Sequence, residues 1–148
     1  MKDESFAAAQ HLAERVRDTM FASDKAAHAL GMAVASISPG HASVTMTVRE
    51  DMLNGFSICH GGLIATLADT AFAYACNSYN EATVASGFDV SLLGPGRLGD
   101  QLTASARVVS QGSRMGVYDI DVTTQSGERI AVFRGRSYRM KGKQVVTT

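Results

Sequence analysis

Residues 60–79 hold the one long, largely apolar helix-like stretch of the chain, and strand-like texture lies on both sides of it. It runs His60-Gly61-Gly62-Leu63-Ile64-Ala65-Thr66-Leu67-Ala68-Asp69-Thr70-Ala71-Phe72-Ala73-Tyr74-Ala75-Cys76. A helix apolar around most of its circumference must be covered. Upstream, segments 32–38 and 42–48 flank the turn signal Pro39-Gly40, and Val44, Met46 and Val48 alternate with Ser43, Thr45 and Thr47. Period two marks a half-buried strand. Downstream come four more segments: 83–93, with Val84, Ser86, Phe88, Val90 and Leu92 on one face; 101–110, with Leu102, Ala104, Ala106 and Val108; 116–124, with Tyr118, Ile120 and Val122; and 129–139, with Ile130 and Val132 followed by Arg134 and Arg136. The turns between them, at Gly94-Pro95-Gly96, Gln111-Gly112-Ser113 and Ser126-Gly127, are short, which predicts antiparallel neighbours. The economical packing is α+β, one curved antiparallel sheet wrapped around one long central helix. Apolar positions Phe6, Ala9, Ala13, Val16 and Met20 predict an extra N-terminal helix over 4–22, with a short second one at 24–30.

At 148 residues the chain suits one domain, 1–148, with an N-terminal helical segment at 1–30 and a flexible polar tail at 140–148. Zero formal net charge offers no global field for nucleic acid or an anionic membrane. From Arg97 onward, however, nine Lys/Arg face four Asp/Glu, a local balance of +5. The two cysteines, Cys59 and Cys76, have no metal-ligand spacing and suggest a reducing compartment. No apolar run approaches the ~20 residues of a membrane helix, and no signal-peptide pattern opens the chain. The expected location is cytoplasmic.

Asp69 is the only acidic residue between Asp51 and Glu81. At helical spacing its neighbours are Ala65, Thr66, Phe72, Ala73 and Cys76, none of which neutralises a carboxylate. A charge so placed is costly unless it is paired or has chemistry to do. The same helix opens on two glycines, whose free N–H groups and positive dipole end face whatever binds there. Eight residues separate Gly61 from Asp69, roughly 12 Å along a helix. One carbonyl carbon does not reach both, so if the two serve one reaction they come from different subunits. A helix-start N–H stabilises an oxyanion, and a carboxylate in a water-poor pocket acts as nucleophile or as general base for water. The sequence leaves both roles open.

The run Asn54-Gly55-Phe56-Ser57-Ile58-Cys59-His60-Gly61-Gly62, followed by Leu67-Ala68-Asp69, resembles the signature of hotdog-fold thioesterases. More narrowly it is similar to the PaaI-type acyl-CoA thioesterases of phenylacetic acid degradation. The likeness continues through Val84-Ala85-Ser86, Leu98-Gly99-Asp100, Gly116-Val117-Tyr118-Asp119 and Phe133-Arg134-Gly135. The resemblance implies that Asp69 is the catalytic carboxylate and that Gly61 supplies the oxyanion-hole N–H. It implies that Asn54 holds the attacking water or orients the thioester, and that His60 orders the loop before the helix. Ser86 would place a hydroxyl near the water. It further implies a tetramer of two hotdog dimers, aryl or arylacetyl thioesters of coenzyme A as substrates, and no metal or redox cofactor.

Around that centre, Gly62 and Phe72, one turn from Asp69, are candidate substrate contacts. Arg114 and Arg134 are candidates for the phosphates of coenzyme A, because guanidinium suits bidentate phosphate contacts. Two rival readings use the same residues. One is an acyl-thioester hydratase or dehydratase with His60 and Asp69 as the acid–base pair. The other is a non-catalytic acyl-CoA-binding module.

Overall fold

The computed structural model describes all 148 residues. In chain order the elements are α1 (Lys2–Ser23), α2 (Lys25–Ala29), β1 (Ala33–Ser38), β2 (His41–Thr47), α3 (Gly61–Asn77), β3 (Thr83–Leu92), β4 (Gln101–Gln111), β5 (Met115–Thr123) and β6 (Arg129–Arg139), with a 3-10 turn at Glu50–Met52. The six strands form one sheet in the order β1-β2-β4-β5-β6-β3, every pairing antiparallel. Helix α3 packs across that sheet, and α1 packs by β1. This is the hotdog arrangement expected from the sequence. No helix is long and apolar enough to cross a membrane.

One side of α3, formed by Ile64, Leu67, Ala68, Ala71, Phe72 and Ala75, shares a single core cluster with Val44, Met46, Leu102, Ala104, Tyr118, Ile120 and Phe133. The Phe72 ring lies 5.6 Å from that of Tyr118 and 6.0 Å from that of Phe133, within the range of favourable aromatic pairs. A Cβ at Gly135 would meet three Phe72 ring atoms at 2.8 Å each. Only a bare backbone at 135 lets the helix lie this close to β6.

Three expectations are corrected. First, β3 and β4 are consecutive but not neighbours: β3 is an edge strand paired only with β6, whereas β4 lies between β2 and β5. The connection 93–100 does not make a hairpin. It runs to the start of α3, where Cys59 N–H donates to the Gly96 carbonyl at 2.8 Å, and Gly99 N–H to that of Val48 at 2.9 Å. Second, β3 does not keep one parity. Ala85 pairs with Ser137 but Gly87 pairs with Arg136, so Ser86 is the extra residue of a bulge. Past the bulge, Phe88 and Val90 stand opposite Gly135 and Phe133 on the helix side, while Val84 stands opposite Tyr138 on the outer side. In β6 Ile130 is buried as expected, and with it Ala131, Phe133 and Ser137, whereas Val132 is half-buried and Arg134 exposed.

Third, the tail does not fray. Asn80, in the left-handed region at φ 66, accepts through Oδ1 from Val145 N–H (3.1 Å) and Val146 N–H (2.8 Å). Its Nδ2 donates to the Val146 carbonyl at 2.9 Å. Val146 is buried as a result. Replacing Asn80 by Ala removes this clamp and leaves a Cβ residue at positive φ, which is expected to cost about 2 kcal/mol in urea unfolding. Asn80→Gly, which tolerates the backbone, is expected to cost less, and both variants should show faster proteolysis after residue 140.

Candidate active site

Two loops fix the start of α3. His60 N–H donates to the Met52 carbonyl at 2.9 Å, and the His60 carbonyl accepts from Leu63 and Ile64. His60, the N-cap, has φ −54 and ψ 131, so the chain enters the helix from an extended conformation. The Gly61 and Gly62 amides, at the first two helical positions, have no hydrogen-bond partner in the chain. The two glycines differ sterically. A Cβ at Gly61 would overlap Leu92 Cδ1, whereas one at Gly62 would meet nothing within 4 Å. Gly61 is therefore pressed against the end of β3, and Gly62 is open.

A cleft of about 550 Å³ opens there, lined by Asn54, Ile58, Cys59, Gly61, Ile64, Leu92, Leu93, Gly94, Pro95 and Arg97. Apolar walls around a few polar groups are the usual make-up of a small-molecule site. Asn54 lies in it as expected, but its Oδ1 is already used, accepting from Phe56 N–H at 2.9 Å and Ile58 N–H at 3.3 Å. This holds a loop in which Ser57 takes φ 61. Only the Nδ2 donors of Asn54 are left for a ligand. The His60 side chain is exposed. Burial pushes the Cys59 thiol above its ordinary range and so disfavours the thiolate.

Arg97 and Leu92 are cleft residues that the sequence did not single out. Arg97 follows the turn glycine Gly96, and its guanidinium has no carboxylate partner in the chain; its backbone N–H donates to Asp100 Oδ2 at 2.9 Å. A lone Arg beside a Gly-Pro-Gly turn was the only available signal. Nothing in the sequence brings Leu92 to Gly61.

Asp69 lies outside this cleft. It sits on the half-open side of α3 with Ala65, Thr66, Thr70 and Ala73. Desolvation alone raises its carboxyl above the ordinary range, with no cation or donor acting against it. Phe72, expected as a pocket wall, is 1% exposed and belongs to the core, because one turn along α3 from Asp69 points it at β5 and β6. Ser86 occupies the β3 bulge and donates to the Arg136 carbonyl at 3.1 Å.

The two candidate phosphate arginines are elsewhere too. Arg134 makes a bidentate pair with Asp119, at 2.6 and 2.8 Å, on the outer face of the sheet, and that pairing holds the Asp119 carboxyl below its usual range. Arg136 and Arg107 are paired there as well, with Asp89 and Asp121. Arg114 donates to the Tyr138 hydroxyl at 3.2 Å. Its carbonyl accepts from Arg139, which pairs with Thr83, so Arg114 is at the opposite end of β3 from Leu92 and Gly61. No three His, Cys, Asp or Glu side chains are grouped to share a metal ion.

Since burial raises the Asp69 pKa, the proton favours the folded state. That contribution is complete below the pKa of the unfolded chain and is lost as pH rises through the folded one. In the unpaired chain Asp69→Asn should therefore raise the melting temperature at pH 7, and the gain should vanish as pH falls toward about 3.9. Thermal unfolding of both proteins from pH 4 to 8 checks this.

The Thioesterase superfamily profile matches residues 56–131 of this chain. The acyl-coenzyme A thioesterase PaaI of Escherichia coli (strain K12) is 49% identical over 132 residues, covering 89% of this chain and 94% of PaaI. The solved structure of the E. coli PaaI protein from the phenylacetic acid degradation operon superposes with a TM-score of 0.89 at 48% identity, covering 90% of this chain and 97% of that one. A Streptococcus mutans UA159 protein solved bound to acetyl CoA superposes with a TM-score of 0.73 at 28% identity, covering 76% and 91%. Sequence, sheet order and the glycine-opened helix agree: the chain is a hotdog-fold thioester hydrolase and belongs to the thioesterase superfamily.

Proposed function

We propose that two copies of this chain make one acyl-CoA thioesterase with two composite sites, each hydrolysing a coenzyme A thioester to the free acid and coenzyme A. The likeness to PaaI favours an aryl or arylacetyl group, phenylacetyl first, and a cytoplasmic setting in phenylacetate breakdown. The carrying observation is that Gly61, whose amide has no partner in the chain, lines a cleft that the same chain's Asp69 does not line.

The edge strand supports the pairing. β3 is ten residues long and has a neighbour on one side only. Its helix-side residues Phe88, Val90 and Leu92 are 44%, 37% and 53% exposed. Such an edge is a template for a second strand. Two identical edges joined by a two-fold axis, with both α3 helices on one side of the joined sheet, run antiparallel. The two helices then also run antiparallel, and the small side chains of Ala65, Thr66 and Ala73 let them approach. A centre near Ala65 brings the Gly61 amide of each chain to the partner's Asp69. Two such dimers would make the tetramer.

The thioester oxygen takes the Gly61 N–H, with the Gly62 N–H beside it, and the carbonyl carbon becomes more electrophilic. The partner's Asp69 either removes a proton from water as it adds to that carbon or adds itself. In both routes the tetrahedral oxyanion collapses, the C–S bond breaks and the thiolate leaves, taking a proton to become coenzyme A; water addition gives the free acid directly, whereas Asp69 addition leaves an acyl–Asp69 anhydride that a water then hydrolyses to the free acid and the regenerated carboxylate. Asn54 Nδ2 is available to hold the water or the thioester.

Thiol release from phenylacetyl-, hydroxyphenylacetyl-, benzoyl-, hexanoyl- and acetyl-CoA tests the reading. Asp69→Asn should lower kcat by roughly 100- to 10,000-fold; full activity in that variant overturns it. Gly61→Pro removes one N–H at the helical position that best accepts proline; made together with Leu92→Ala, which gives the new Cβ room, it should also inactivate while circular dichroism and oligomer size stay those of wild type. Co-refolding the two dead variants should restore roughly a quarter of the wild-type rate, since half of random pairs then hold one intact site of two. A mixture that stays dead overturns the composite arrangement.

A further inference from the structure

The Gly61 amide owes its place to the residue before it. His60 N–H donates to the Met52 carbonyl at 2.9 Å, and Met52 closes the 3-10 turn Glu50–Met52. Arg49 pins that turn from its other side. Its guanidinium donates from Nε to Asp51 Oδ1 at 3.0 Å, from Nη2 to Asp51 Oδ2 at 3.1 Å and from Nη1 to the Ala29 carbonyl at 3.1 Å. Ala29 is the last residue of α2, and a helix end leaves such a carbonyl without an intrahelical partner. The Arg49 backbone takes part as well: its carbonyl accepts from Met52 N–H at 3.0 Å, and its N–H donates to Met52 Sδ at 3.5 Å. The Arg49 guanidinium holds the Asp51 carboxyl below its usual range. Exposed ion pairs add little stability. What this one supplies is geometry, because a planar fork fixes its acceptors relative to one another. The arginines of the outer sheet face pair strand with strand; Arg49 instead joins the N-terminal helical segment to the loop that enters α3.

We propose that Arg49 is a positioning residue for the oxyanion donor: it aims the Gly61 N–H by holding the 50–52 turn against the end of α2. This rests on the reading of Gly61 given above. The path is short and mostly backbone. It passes from the Asp51 carboxylate to the neighbouring Met52 carbonyl, across one hydrogen bond to His60 N–H, and along one residue to the His60–Gly61 peptide. The His60 carbonyl of that peptide accepts from Leu63 and Ile64 and so moves with the first turn of α3. The Met52 bond ties that first turn to the cleft wall, to which Asn54 belongs. The fold itself has other anchors. Met52 is buried in the core, and Cys59 N–H is bonded to the Gly96 carbonyl. Loss of the guanidinium therefore leaves the helix in place and frees the turn to rock. A hydrogen bond weakens steeply as its angle closes, and a misplacement of about 1 Å can cost roughly 100-fold in rate. The substrate's own contacts are untouched, so the loss falls on kcat. The N-terminal helical segment, which gives no residue to the cleft, thus has a part in the reaction.

The test compares the full-length wild type with Arg49→Ala, Arg49→Lys and Asp51→Ala. Kinetics are run on the best thioester of the panel above, and amide proton–nitrogen spectra are taken without substrate, with circular dichroism and oligomer size as controls. Arg49→Ala should lower kcat about ten-fold at nearly constant KM. Its Gly61 amide signal should shift, and the His60 amide should exchange faster. A lysine reaches one acceptor but lacks the fork, so Arg49→Lys should recover part of the lost kcat. Asp51→Ala keeps the bond to Ala29 and should be milder. Added to Arg49→Ala it should lower kcat no further, since both changes act through one contact. If Arg49→Ala does not fold, Arg49→Lys and Asp51→Ala carry the same comparison. A clamp that serves stability alone would lower the melting temperature and leave kcat and the Gly61 signal at their wild-type values; that result overturns the proposal, as does a loss confined to KM. A wild type that releases no thiol refutes the thioesterase reading, and the proposal falls with it. An active wild type matched by an equally active Arg49→Ala overturns the proposal alone.

Discussion

The Phe72 ring fills the space that a side chain at residue 135 would occupy, and most of the architecture follows from that contact. It sets how closely α3 approaches the sheet, and it aims the helix so that Leu67, Ala68, Ala71 and Ala75 are covered. The opposite side of the helix, with Asp69, is then only partly covered by its own chain. Two further contacts hold the ends. Asn77 ties the C-terminal end of α3 to the start of β3, and Leu92, at the end of β3, closes on Gly61. The helix and the edge strand are thereby locked at both ends.

This locking explains why Asp69 and the Gly61 cleft lie apart on one chain. A carboxylate buried without a partner is destabilising where it stands. It stays half open on the free side of the helix, next to the free strand edge. The first-turn amides of a helix lack intrahelical partners, and the chain leaves both glycine amides unpaired. Each of these is a cost that a lone protomer carries and a paired protomer would relieve.

The overall architecture was legible because its signals are local. Alternation in β2, β4 and β5, one long apolar helix and the turn residues each report on a few consecutive positions. Gly61 and Asp69 drew attention in the sequence because glycine and a lone acid stand out against an apolar helix. What escaped depends on distant residues. Phe72 looked like a pocket wall because helical spacing says how far it is from Asp69 but not which side the sheet lies on. Arg134 looked free because Asp119, fifteen residues away, becomes its partner only through the β5–β6 register. The neighbour of β3 is β6 because the 93–100 connection is used to bound the cleft, a role that turn chemistry does not encode. The tail appeared polar and loose because its anchor, Asn80, lies some sixty residues back.

The bulge at Ser86 has a consequence for how β3 tolerates change. Before it, odd-numbered residues Thr83 and Ala85 face the helix; after it, even-numbered Phe88, Val90 and Leu92 do. The strand thus carries two phases joined by one extra residue, and that residue acts as a frame shift in the side-chain code. Straightening the bulge with Ser86 kept in the ladder would turn Gly87, Asp89 and Ser91 toward the helix and send Phe88 and Leu92 to the outer face, whereas deleting Ser86 would leave Phe88, Val90 and Leu92 where they are in an unbroken strand. The whole apolar edge, and with it the Leu92 contact on Gly61, is spelled correctly only in the shifted frame.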